Sequence, residues 1–109
     1  MSSQQGHEIL LQTRLKLSIL RAMLGEVTSN LRSVGFKIDG NEVKIYSYYD
    51  GIINDDTEED VSCMESEVIS DFWQSHSITW KCIGTNSKEC LQDVMKKDSI
   101  EHLVYLRKE

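Results

Sequence analysis

Three cysteines and three histidines are the residues of this chain best suited to nucleophilic or metal chemistry. Cys63, Cys82 and Cys90 form no CxxC pair, and an odd number fits no disulfide framework, so reduced thiols are expected. His7 falls near the N-terminus, His76 in a turn and His102 at the start of a late strand; no spacing brings one of them to a cysteine. No P-loop, GxGxxG, GxSxG or HExxH motif is present. The expectation is a protein that is not an enzyme, with no catalytic residues, no metal and no cofactor. A small thiol enzyme is an alternative, and it would need a cysteine of lowered pKa.

The other chemistry-bearing residues are carboxylates. Asp50, Asn54, Asp55, Asp56, Glu58 and Glu59 crowd one segment with oxygen donors, but the alternate-position order and central glycine of an EF-hand loop are missing. The charge is nevertheless concentrated here. The 109 residues carry 18 acidic and 12 basic side chains, a net charge of −6. Residues 39–71 hold eleven acids against Lys44 alone, whereas residues 1–38 carry five basic and two acidic groups. Such a balance disfavours direct nucleic-acid binding. The acidic run reads either as a solvated helix face or as a docking surface for a basic partner, and its segregation from lysine and arginine favours docking.

The elements that must position these groups follow from periodicity. From about Glu8 to Leu24, Leu10, Leu17, Leu20 and Leu24 make one helical stripe, while Leu11, Leu15, Ile19 and Met23 make a second, and Gly25 ends the helix. So wide an apolar surface must be covered. Val34, Phe36 and Ile38 alternate, Asp39-Gly40-Asn41 turns the chain, and Val43 and Ile45 resume the alternation through Tyr49, which is a β-hairpin. Tyr46 and Tyr48 share one face of it and Tyr49 takes the other.

Asn54 to Asp60 carries helix-start chemistry, and Val61, Met64, Val68 and Phe72 form the inner stripe of a second helix. That stripe leaves Asp56, Glu59, Asp60 and Glu67 in water, but places Glu65 near the apolar side, where it needs a partner such as a lysine or arginine. Ile78, Trp80 and Cys82 alternate in a third strand and His102 to Arg107 form a fourth. Between them Cys90, Leu91, Val94 and Met95 are spaced for a short helix capped by Ser87. The predicted fold is α+β over a single domain, residues 1–109: a mostly antiparallel four-stranded sheet in the order α-β-β-α-β-(α)-β, with helices on one face. No apolar run reaches the ~20 residues of a membrane span, and a basic signal-peptide start is missing, so a soluble cytoplasmic protein without membrane contact is expected.

Several stretches together resemble a known family. LGEVTSNLRSV over residues 24–34, YSYYDG over 46–51, TEED over 57–60, SEVISDF over 66–72 and LVYLRKE over 103–109 are similar, in matching order, to immunity proteins of bacterial contact-dependent growth inhibition systems. The stretch from Gln74 to Ser99 has no counterpart in that resemblance, and Ser29 stands where the family commonly has a proline. The resemblance implies a protein that protects a cell by binding the C-terminal domain of a delivered toxin, and some relatives pair with toxins of the ribonuclease-A-like type. A monomer forming a 1:1 complex with a basic ribonuclease is therefore expected, with Asp55, Asp56, Glu59, Asp60, Glu67, Asp71 and nearby Tyr49 as the partner-binding residues. The alternative is a homodimeric adaptor or structural protein that uses its doubly apolar first helix.

Overall fold

The structure is a computed structural model and describes residues 3–86 and 88–108. The element order is α1 (Ser3–Met23), β1 (Leu31–Asp39), β2 (Glu42–Asp50), α2 (Asp55–Phe72), β3 (Ser77–Thr85), α3 (Leu91–Lys97) and β4 (His102–Leu106). The α+β class and the order of elements are those read from the sequence.

The hairpin forms as its alternation requires, with Ile38 opposite Val43, Phe36 opposite Ile45 and Asp39 opposite Glu42 around the Gly40-Asn41 turn. The four strands lie in the spatial order β3-β2-β1-β4. β1 pairs antiparallel with both β2 and β4, whereas β3 runs parallel to β2, so the sheet is mixed. Parallel neighbours need a long crossover. The 18-residue α2 supplies it, and for that reason sits directly over the sheet.

On one face the inner stripe of α1 (Leu15, Ile19, Met23) and that of α2 (Val61, Met64, Val68, Phe72) close over Val34, Phe36, Val43, Ile45 and Trp80. Each such side chain stabilises the fold by ~1.5–3 kcal/mol when fully buried. Ser47 shares this face by alternation with Val43 and Ile45, and its hydroxyl accepts the Trp80 indole N–H at 3.0 Å. The expectation that helices cover one face holds for α1 and α2 but not for α3. That helix lies across the opposite face, where Leu91, Val94, Met95 and Ile100 pack on Tyr46, Tyr48 and Ile83. The apolar ring faces of the two tyrosines draw it there, and the Tyr48 hydroxyl finds a partner in Asp98 at 2.7 Å. Burial, and then the Asp98 carboxylate, push the Tyr48 phenol far above its usual pKa. Ser87, expected to cap α3, lies outside the described residues; the residue before the helix, Cys90, makes no side-chain cap bond.

The start of α2 is fixed by backbone geometry. Gly51 has φ +85°, a region that suits glycine, and its N–H donates to Thr85 O at 2.8 Å. A Cβ at Gly84 would collide with the Gly51 carbonyl oxygen, so glycine is needed on both sides of this approach. Beneath it, buried Arg32 donates to Thr85 Oγ1 at 3.0 Å and lies 3.5 Å from the Asp50 carboxylate, which Arg107 meets at 2.8 Å. The Thr85 hydroxyl in turn donates to Tyr49 O at 2.9 Å. Asn54 then caps the helix, its side chain accepting the Thr57 N–H at 2.8 Å. Among the described residues no helix is long and apolar enough to cross a membrane.

Candidate functional site

The 18 residues of α2 include eight carboxylates and no lysine or arginine. Three of them, Asp55, Asp56 and Glu58, stand in the first turn, where the helix dipole stabilises negative charge. That effect fades within a turn, so it gives no account of Glu59, Asp60 or Glu67. Asp55, Asp56, Glu59 and Glu67 are exposed and Asp60 is half-buried, so these five carboxylates lie along the outside of the helix.

Two residues expected in that surface are employed elsewhere. Tyr49 is only 2% exposed: it projects from β2 toward α1 and α2, which close over it, and burial raises its pKa. It supports the acidic helix from beneath and offers a partner no ring face. Asp71 is committed to α1. Its carboxylate accepts the Ser18 hydroxyl at 2.6 Å and pairs with the Arg21 guanidinium, and these contacts hold its pKa below the usual carboxylate value. One turn away the Arg14 guanidinium lies 5.1 Å from the centre of the Phe72 ring. Asp71 therefore fastens the two helices together.

Glu65 has the partner its position requires, and it is a backbone amide rather than a lysine or arginine. It accepts the backbone N–H of Trp80 at 2.8 Å, an amide on the side of β3 that faces away from β2. The bond ties α2 to the sheet and occupies a donor that would otherwise stand open on an edge strand.

Sequence reasoning missed Trp73. It directly follows α2, is 69% exposed, and with Ile69, His76 and Ile78 lines a shallow recess beside the start of β3. Its neighbour Phe72 fits the buried stripe, and the pattern that identified Phe72 as core could have marked Trp73 as outward-facing. A further exposed apolar surface is on α1, where Leu10, Leu17, Leu20 and Leu24 point away from the sheet, Leu17 being 63% and Leu24 77% exposed.

The residues considered for catalysis are dispersed. Cys63 and Cys90 are exposed and Cys82 is half-buried, and burial raises the Cys82 thiol pKa, opposite to what an activated nucleophile needs. The His102 ring packs against Phe36 at 4.9 Å and His76 contacts the Ser75 hydroxyl at 2.9 Å. His7 has its side chain outside the described set. Among the described residues no three of His, Cys, Asp and Glu converge on a point that could hold a metal ion.

With an acidic, outward-facing helix on a small α+β scaffold in place, comparison with protein families is decisive. The sequence model of the MafI2 immunity protein family matches residues 12–109. The chain belongs to the MafI2 immunity protein family. The match takes in the hairpin, the whole of α2, β3, α3 and β4, including the stretch from Gln74 to Ser99. No curated protein matches the sequence. Membership in the MafI2 family makes a toxin the partner and its neutralisation the role.

Proposed function

We propose that this immunity protein neutralises a basic ribonuclease toxin of a contact-dependent growth inhibition system by laying the outer face of α2 across the toxin's RNA-binding cleft. Asp55, Asp56, Glu59, Asp60 and Glu67 stand in for RNA phosphates, and one copy binds one toxin domain in the cytoplasm. The observation that carries this reading is the unmixed carboxylate surface beyond the first turn of α2, for which the fold itself has no use. A cleft built to hold phosphates is lined with basic groups, so it attracts such a surface and association is accelerated. Close interfacial charge pairs couple by ~1.5–7 kcal/mol, enough for a few carboxylates to decide whether the cleft is occupied by inhibitor or by RNA. Inhibition by occupancy needs no chemistry from the inhibitor.

An immunity protein is expected to be encoded just downstream of its toxin, so co-expression with the toxic C-terminal domain encoded immediately upstream tests the reading, with growth and RNA integrity scored together. Rescued growth with intact RNA and a co-purifying complex is the expected outcome. Continued RNA cleavage beside folded immunity protein would refute it.

A second reading concerns α1. Leu10, Leu17, Leu20 and Leu24 together with Ile9 expose on the order of 500 Å², the size at which an apolar patch marks a contact surface. Two copies paired through this stripe would approach the ~1,200 Å² at which specific interfaces begin. The stripe suits a second copy of the chain, whose own exposed leucines would cover it. Light scattering on the free protein checks it: a dimer mass is expected, and a monomer at high concentration would rule it out.

A further inference from the structure

The side of α2 that turns toward β3 carries a sequence of chemistries that its charge count hides. Asp55, Glu58, Ser62, Ser66, Ile69 and Trp73 recur at spacings of three and four, so they form one exposed strip along the helix. Acid stands at one end, small hydroxyls in the middle and apolar surface at the other, over ~27 Å of helix. Glu65, on the inner margin of the strip, fixes this side of α2 to the Trp80 amide, so the strip is presented on a rigid support.

Trp73 is the anomaly. Every other aromatic side chain is buried or half-buried, and Trp73 alone stands in solvent. With Ile69 and Ile78 it borders the recess at the start of β3. Charge alone does not make a tight complex: a nanomolar affinity requires ~12 kcal/mol, and apolar or aromatic anchors supply much of it. Tryptophan is among the residues most enriched at such anchors, and its ring face attracts arginine and lysine.

We infer that the toxin docks along this strip, seating a basic side chain and the apolar surface around it on Trp73 and Ile69 while Asp55 and Glu58 hold further basic groups. The occupant is chosen by charge: the strip is acidic at one end, uncharged at the other and nowhere basic. This inference rests on the neutralisation reading and adds to it the apolar anchor that the carboxylates lack.

Calorimetric titration of the purified toxin domain encoded immediately upstream tests it, against the wild type, Trp73→Ala, Ile69→Ser, and Lys97→Ala on the opposite sheet face as control. Trp73→Ala is expected to weaken binding ~30-fold or more and Ile69→Ser ~10-fold, with Lys97→Ala within threefold of wild type. Trp73→Phe should recover part of the loss. Hydrogen exchange on the wild-type complex needs no variant, and protection of residues 69–78 is expected. Wild-type binding with both variants within threefold, or with unchanged exchange at 69–78, would overturn the docking strip and leave neutralisation standing. A wild type that fails to bind an active toxin domain would overturn both.

Discussion

α1 and α2 lie side by side on the same face of the sheet and bury matching inner stripes, Leu15, Ile19 and Met23 on one and Val61, Met64, Val68 and Phe72 on the other. Their outer surfaces are opposites. α1 turns Leu10, Leu17, Leu20 and Leu24 to solvent between basic side chains, while α2 turns out carboxylates. Packing dictates only the half of a helix that faces the core. The other half is free of that demand, so what it carries beyond solubility reports on what the protein meets. A helix apolar on both sides is at rest only when both are covered, and an acidic helix without lysine or arginine has its counter-charge elsewhere. Asp71, Ser18 and Arg21 mark the seam where the two surfaces join.

The largest effect should come from the inner surfaces the helices share. Phe72→Ala is expected to lower the unfolding free energy by ~3–5 kcal/mol in urea titration, because the ring is buried among both helices and Arg14 lies over it. A loss below about 1 kcal/mol would mean that the helices pack less closely than described. The outer surface of α1 should behave in the opposite way. Leu17→Asp is expected to weaken self-association at least tenfold in light scattering while changing stability by no more than ~0.5 kcal/mol and leaving toxin affinity unaltered. Toxin affinity falling with it would merge the two surfaces into one.

The seam should give the smallest effect. Asp71→Asn is expected to cost about 1 kcal/mol at neutral pH, since it weakens the bonds to Ser18 and Arg21. The carboxyl pKa is lower folded than unfolded, so its contribution is fully present above the unfolded value near 3.8 and is lost as pH falls through the folded one. The stability gap between wild type and variant should therefore close below about pH 4. A gap independent of pH would remove the charge of Asp71 from the seam.

The fold was legible wherever a residue's period decided its neighbours. The alternation of Val34, Phe36, Val43 and Ile45 specified the hairpin, and the spacing of Val61, Met64, Val68 and Phe72 specified both α2 and its buried face. The side of the sheet that α3 covers was not legible, because Leu91, Val94 and Met95 show only that the short helix has an apolar face, not which layer it meets. Glu65 was rightly singled out as needing a partner, but a backbone amide leaves no mark in sequence, and the crossover that presents Trp80 depends on parallel pairing. At the candidate site the exposed acids followed from helical angle alone. Tyr49 did not, since its burial depends on how closely α2 lies over β2, and Asp71 did not, since its partners stand 50 and 53 residues away.

The most direct test of neutralisation by charge is the affinity of the upstream toxin domain measured across a salt series, for the wild type and for Glu59→Lys combined with Asp60→Lys. Wild-type affinity should fall steeply as salt rises, and the double reversal should bind 10- to 100-fold more weakly at low salt with a flatter dependence. Equal affinities and equal salt slopes would contradict the acidic face of α2 as the surface that meets the toxin.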